Sequence, residues 1–517
     1  MFVPATSLTF DFAGIELNRE KGLSRQLYLA LRQRILDGQL GGGTRLPASR
    51  DLAVSLSISR NSVMRAYDQL YAEGFTEGRI GDGTYVARLV AKPDSIKKLS
   101  TQMSTGLYPL LSTELSTKSA NNSGSAVREV IHSPAIQRLD THHLKPHKTG
   151  APRAFRVGVP AFDLFPFGIW SKLHAAFWRK PGLHQLGYGD PAGEWRLREL
   201  IAVYLRTSRG LQCTAEQIVI TSGAQQAISL CAQLLVNTGD HLAIENPGYR
   251  AAGHAFALAG ATLRGMPVDS EGMRCPAVGE GGQVCKLAYV TPSHQYPLGV
   301  TMTLARRLEL LAWAERTQGW IVEDDYDGEY RYSGAPLAPL AALDRHARVL
   351  YVGTFGKVAF PALRLGYLVL PPSLVKPFSQ RRAVDMRHSE VGTQSVMAEF
   401  IAAGHFQRHI RRMRRAALAR RDALLAGWPD DLPGCGPISK PLAGLHVSVA
   451  VESYARQQAL IDKADSVGVE ISPLTDHWLP DSDTPVDNRA GLVLGFAGVP
   501  EADIASALER LRQVWRD

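Results

Sequence analysis

Three short segments carry residue types that could do chemistry. Thr354-Phe355-Gly356-Lys357, with Arg364 beyond it, offers a hydroxyl, a primary amine and a guanidinium. Glu323-Asp324-Asp325-Tyr326 offers adjacent carboxylates and a phenol. Ser222-Gly223-Ala224 lies between the apolar run 217–221 and a helical pattern through Ile228, Leu230, Leu234 and Leu235, so its amides and the helix start can hold a phosphate. Taken singly, each matches an ordinary turn or acidic loop. Together they supply what pyridoxal 5′-phosphate (PLP) requires. A lysine forms a Schiff base with the aldehyde, a carboxylate keeps the pyridine nitrogen protonated, and a helix terminus, a hydroxyl and an arginine take the phosphate. Lys357, Asp324, and Thr354 with Arg364 can fill those roles, and Tyr326 can donate to the ring hydroxyl. Asp325 stands as the alternative to Asp324, because adjacency does not say which neighbour points inward.

Each segment needs an element to position it. Strands are expected at 217–221, 241–244, 286–290, 320–322, 349–352 and 364–370, alternating with helical patterns. That alternation predicts an α/β domain, a mostly parallel sheet with helices on both faces, whose strand ends collect ligands. The three segments follow strands.

A different chemistry is expected near the N-terminus. Leu23, Leu27, Leu31, Ile35 and Leu36 recur at helical spacing up to Asp37-Gly38; a second helix opens at Ser49, a plausible N-cap, and a third near Ser59. A glycine-rich turn and Thr84-Tyr85-Val86 follow. Three helices and a glycine-tipped hairpin make a winged helix-turn-helix. Arg60, Asn61, Ser62 and Arg65 on the first two turns of the third helix suit base edges and phosphates, and Arg50 suits the DNA backbone.

The N-terminal residues resemble the GntR winged-helix regulators through Leu46-Pro47-Ala48-Ser49-Arg50-Asp51-Leu52-Ala53, Ser59-Arg60-Asn61-Ser62-Val63, Tyr67, Leu70 and Gly81-Asp82-Gly83-Thr84-Tyr85-Val86. The resemblance implies DNA contacts from Arg50, Arg60, Asn61, Ser62 and Arg65, with the wing glycine, Gly83, in the minor groove. The remainder resembles fold-type I aminotransferases, and more narrowly the MocR group that fuses a GntR winged helix to one. The matching motifs include Tyr188-Gly189-Asp190-Pro191-Ala192-Gly193, Thr221-Ser222-Gly223-Ala224-Gln225-Gln226, Glu245-Asn246-Pro247-Gly248-Tyr249, Glu323-Asp324-Asp325-Tyr326 and Gly353-Thr354-Phe355-Gly356-Lys357. By that resemblance Lys357 is the Schiff-base lysine, Asp324 pairs with the pyridinium, and Tyr326 with the ring oxygen. Gly223, Ala224, Gln225, Thr354 and Arg364 bind phosphate, Tyr249 stacks on the ring, and Tyr188 reaches the phosphate of the other subunit in a domain-swapped, head-to-tail homodimer.

The chain departs from that pattern in three places. Tyr296-Pro297-Leu298-Gly299 stands where aminotransferases carry Asn-Pro-x-Gly, leaving His294 or Gln295 to substitute for the asparagine. Val493 occupies the position of the arginine that grips an amino acid's carboxylate, with Arg489 nearby, and Gly356 replaces a usual serine. Cofactor chemistry without a substrate clamp suits a sensor. The expected function is a PLP-dependent transcriptional regulator binding double-stranded operator DNA and sensing PLP, an amine or an amino acid; the alternative is a working aminotransferase with an attached DNA-binding domain.

The 517 residues carry 58 basic and 49 acidic side chains, a net charge of +9. Residues 1–90 contribute +2, 91–150 contribute +4 and 151–517 contribute +3, so bulk charge does not locate a nucleic acid. The arginine-rich run from Arg408 to Arg421 is a candidate second DNA contact or a solvated face paired with carboxylates. Residues 91–130, with eight Ser and four Thr, read as a flexible linker, giving a winged helix at 1–87, a linker at 88–150 and a PLP-binding domain at 151–517. Five cysteines without C-x-x-C spacing predict neither a disulfide framework nor a zinc site, and no metal is expected. No apolar run approaches membrane-spanning length and no secretory signal is recognisable, so a cytoplasmic location without membrane association is expected.

Overall fold

The computed structural model describes residues 22–79, 82–87, 149–277, 284–332, 338–429, 431–480 and 482–515, with residues 15, 17, 18, 136, 138 and 139. The stretch read as a linker, and Gly81 of the wing, lie almost wholly outside the described residues. The chain divides into two compact units, Met1–Val127 and Arg128–Asp517.

In the first unit, helices α1 (Leu23–Leu36), α2 (Ser49–Ser55) and α3 (Arg60–Ala72) precede an antiparallel hairpin, β1 (Thr76–Arg79) and β2 (Gly83–Val86). Of the apolar positions that set the helical spacing, Leu27, Leu31 and Ile35 are buried and pack with Leu52, Val63, Ala66, Leu70 and Val86, while Leu23 and Leu36 are half-buried. The Tyr67 hydroxyl donates to the Pro47 carbonyl at 2.9 Å, tying α3 to the segment that leads into α2. Ser59 caps α3, its hydroxyl accepting from the Ser62 amide at 3.1 Å. Ser49 is not the cap expected for α2. Ala48 holds that position, and the Ser49 hydroxyl instead accepts from Arg60 Nε at 3.3 Å.

The second unit is built on an eight-stranded sheet. It contains β3 (Ile218–Thr221), β4 (His241–Asn246), β5 (Thr262–Asp269), β6 (Gly272–Met273), β7 (Cys285–Val290), β8 (Trp320–Asp325), β9 (Val349–Thr354) and β10 (Gly366–Val369), in the order β3-β10-β9-β8-β7-β4-β5-β6. From β9 through β8, β7 and β4 to β5 every pairing is parallel; β10 is antiparallel to both β3 and β9, and β6 to β5. Helices cover both faces. Leu287 and Tyr289 of β7, Val322 of β8 and Val352 of β9 share a core with α4 (Ala224–Leu235), whereas Ala288, Val290 and Ile321 pack with Leu310 and Trp313 of the helix Leu304–Thr317. A separate antiparallel sheet, β11 (His446–Ala450), β13 (Gly491–Gly495) and β12 (Ser472–Pro473), lies toward the C-terminus. No helix among the described residues is long and apolar enough to cross a membrane.

Strand β8 runs three residues further than its apolar run suggested, because its acidic end remains paired in the ladder: Asp324 lies opposite Val352 and Asp325 opposite Gly353. The acidic segment is therefore the end of a strand, not the loop after it, and its side chains alternate between faces.

Candidate functional site

That alternation separates the two aspartates. Asp324 shares the face of Val322, where Tyr289 of the neighbouring strand donates to its Oδ2 at 2.7 Å, while its Oδ1 is buried with no hydrogen-bond partner. Burial raises the Asp324 pKa to about 7; the Tyr289 bond opposes this rise, Asp325 adds to it and Lys357 opposes it. Asp325 faces the other way. Its Oδ2 lies 2.8 Å from an Arg209 guanidinium nitrogen and accepts from the Tyr351 hydroxyl at 2.6 Å.

Lys357 follows β9, and its Nζ donates to the Gly158 carbonyl at 2.8 Å. Burial lowers its pKa, against the opposing charges of Asp327 and Asp324. An amine held in this way is poised to lose its proton and act as a nucleophile. Gly158 has φ +79°, and a Cβ there would stand 2.9 Å from Nζ, so this glycine leaves the room that the lysine occupies. Tyr326 is buried. Its hydroxyl donates to the His294 carbonyl at 2.9 Å and lies 3.1 Å from His294 Nδ1.

At the end of β3, Gly223 takes φ +85° and caps α4, with Ala224 and Gln225 in its first turn. A Cβ at Gly223 would sit 3.5 Å from the Arg364 guanidinium, which donates to the Ser222 carbonyl at 2.6 Å. Arg364 is exposed and the Thr354 hydroxyl, accepting from the Gly356 amide at 3.0 Å, is half-buried. Helix start, hydroxyl and arginine thus form a cradle suited to an anion. The Tyr249 hydroxyl donates to Gln225 Oε1 at 3.2 Å, and Gln225 Nε2 to the Ala251 carbonyl at 3.0 Å. Tyr188 stands apart. It is 90% exposed, and its ring meets His388 edge-on, at 6.0 Å.

The departures have local explanations. Tyr296 fills the asparagine slot, edge-on to Tyr249, Tyr326, His446 and His477. Gln295 turns away, donating to Glu245 and to the Pro247 and Tyr296 carbonyls, so His294 is the residue beside Tyr326. Val493 is buried in β13 opposite Ser448 and Ser472, and Arg489 donates to the Thr484 and Ser482 carbonyls of its own loop. The long helix His405–Gly427 also absorbs much of its arginine run. Arg412, Arg414, Arg420 and Arg421 donate to the carbonyls of Leu164, Glu329, Ala497 and Pro441, and Arg420 and Arg421 are buried. The reading of this run as a second DNA contact is corrected for Arg420 and Arg421, because they are buried and their donors complete the fold.

In the winged helix, Arg50, Arg60, Asn61 and Arg65 are exposed and Ser62 is half-buried at the start of α3. Gly83 is exposed at the wing with φ +130°, over the Arg45 side chain, which also bonds the Asp82 carbonyl. Arg45 and Arg79, the latter 4.2 Å from the Tyr85 ring, were not singled out from the sequence, since a basic residue beside a turn is unremarkable until the turn is folded.

Fold and site define a fold-type I aminotransferase-like domain in a chain that also carries a winged helix. The family model for aminotransferase class I and II matches residues 182–472, and that for bacterial regulatory proteins of the gntR family matches residues 23–86. The chain is 34% identical to a protein described as "Probable rhizopine catabolism regulatory protein MocR" of Rhizobium meliloti over 95% of this chain and 94% of the relative. It is 30% identical to the pyridoxine biosynthesis transcriptional regulator PdxR of Corynebacterium glutamicum over 92% of each. Among solved structures, the kynurenine aminotransferase of Pyrococcus horikoshii superposes with a TM-score of 0.62 at 27% identity, covering 76% of this chain and 96% of that one. The chain belongs to the MocR-type transcriptional regulators, which join a GntR DNA-binding domain to an aminotransferase-like domain.

Proposed function

We propose that this regulator binds PLP through residues 151–517 and operator DNA through residues 1–87, and that PLP, alone or with an amine or amino acid, is its effector. The observation that carries the cofactor assignment is the buried Oδ1 of Asp324, without a hydrogen-bond partner among the described residues, within charge reach of the Lys357 amine, whose pKa burial lowers. An orphaned buried carboxylate oxygen costs free energy unless a donor arrives, and a pyridinium N–H is such a donor. The residues present therefore fit PLP. When bound, it would supply a carbonyl carbon reactive toward amines and an electron-accepting ring. Lys357 would hold it covalently, Asp324 would keep its ring nitrogen protonated, and Tyr326 would donate to its ring oxygen. Gly223, Ala224, Gln225, Thr354 and Arg364 would hold its phosphate, Tyr249 would cover its ring, and Tyr188 would serve the partner subunit of a homodimer.

On the DNA side, Arg60, Asn61, Ser62 and Arg65 would meet the major groove, Arg50 the phosphates and Gly83 the minor groove. A cytoplasmic location accords with operator binding. Footprinting on DNA upstream of the neighbouring genes, with and without PLP, tests this reading; an identical footprint in both conditions removes PLP as an effector. Lys357→Ala should abolish the visible cofactor absorbance, and a spectrum like the parent's would remove Lys357 from its role.

A second reading, a working aminotransferase, is favoured by the lysine, aspartate and tyrosine that accompany the fold, and disfavoured by buried Val493 and loop-bound Arg489. Steady product formation from an amino acid and a 2-oxo acid would establish it.

A further inference from the structure

Beside the cofactor pocket, three buried side chains from distant parts of the chain converge: His294 after β7, Asp327 after β8 and His446 at the start of β11. Each is 2% exposed or less. We propose that His294, Asp327 and His446 form a binding site for a divalent transition-metal ion of the zinc, cobalt or nickel class.

A hydrogen bond orients the His446 imidazole as a ligand. Nε2 of His446 lies 3.0 Å from the Pro297 carbonyl, which can only accept, so Nε2 carries the proton and Nδ1 the lone pair. Nδ1 of His294 lies 2.9 Å from Asp327 Oδ2, close enough for one ion to take both atoms. Metal-ligating histidines are commonly held as His446 is, by a backbone carbonyl on the nitrogen away from the metal.

Asp327 supplies the third group. Its Oδ2 faces His294 Nδ1, and its Oδ1 is buried without a partner among the described residues. The ring centroids of the two histidines are 4.6 Å apart, and one ligand atom from each of the three residues lies within 4.8 Å of the others. With metal–ligand bonds of about 2.0–2.2 Å, an ion at the centre needs an inward shift of no more than about 1 Å. Two imidazoles and a carboxylate select a borderline ion over magnesium or calcium, which prefer all-oxygen sites. The expectation of no zinc site rested on cysteine spacing and did not address ligands brought together from positions 294, 327 and 446.

The site is independent of the PLP reading, and its test is independent too. Full-length protein stripped with a chelator is titrated with cobalt(II) and followed by visible absorption. Expected is one ion per chain with the intense bands of a low-coordinate nitrogen–oxygen site, displaced by zinc. His446→Gln keeps a donor for the Pro297 carbonyl and should weaken binding by about 10- to 100-fold or more, as should Asp327→Asn. X-ray absorption of the zinc-loaded parent should count two imidazoles, a readout that stands even where a variant fails to fold. No saturable uptake by the parent, a single imidazole, or unchanged affinity in folded His446→Gln would overturn the proposal.

Discussion

Tyr289 donates a 2.7 Å hydrogen bond to Asp324 from the adjacent parallel strand, leaving the carboxylate's second oxygen free in the pocket. The bond favours the ionised form of a carboxyl whose pKa burial pushes up to about 7. Tyr289→Phe should therefore raise that pKa further, weaken the hold on a protonated ring nitrogen, and reduce PLP affinity by about tenfold, in line with the roughly 1.5–3 kcal/mol of a hydrogen bond to a charged group. Absorbance titration of the stripped protein with PLP measures this.

The two adjacent aspartates should fail differently. Asp324→Asn should lose PLP affinity and keep the fold. Asp325→Asn breaks the buried pair with Arg209, whose side chain is 4% exposed, and should cost about 3–5 kcal/mol of stability. Chemical denaturation separates them; equal stability of the two variants would contradict the face assignment.

Asp324 also sets a pH dependence in the PLP-free protein. Its folded pKa, about 7, exceeds the unfolded value near 4, so its contribution to stability is full below about pH 4 and is lost as pH rises to 7. Asp324→Asn has no such group. Between pH 5 and pH 8 the variant should gain on the parent, by on the order of 2 kcal/mol, in paired thermal melts.

Arginines on the two units should separate by readout. Arg60→Ala should lower operator affinity by about 1–3 kcal/mol without changing the melting temperature, because the side chain is exposed and, among the described residues, is bonded to Ser49 Oγ alone. Arg420→Ala should leave the Ala497 carbonyl and Asp163 without their donor and lower the stability of the second unit. Operator binding by electrophoretic shift, paired with calorimetry, checks both.

Much of this protein was legible in its residue order. The spacing of Leu27, Leu31 and Ile35, the start of α3 near Ser59 and the alternation of strands with helices are local signals, and local hydrogen bonding and side-chain periodicity reproduce them in the fold. Lys357 and Gly223 could be singled out because each lies in a short segment just past the end of a strand. Which of Asp324 and Asp325 faces the pocket was not legible, since it depends on how far β8 stays paired with β9 and hence on the pleat. Gly158 beside Lys357, Tyr289 beside Asp324, and His446 beside His294 are juxtapositions across 199, 35 and 152 positions, set by sheet order and by how the C-terminal sheet packs. The chain itself determined the kinds of groups and the elements that carry them; the tertiary structure decided which lone pairs and carboxylate oxygens are buried without a partner, because only packing excludes the water that would otherwise satisfy them.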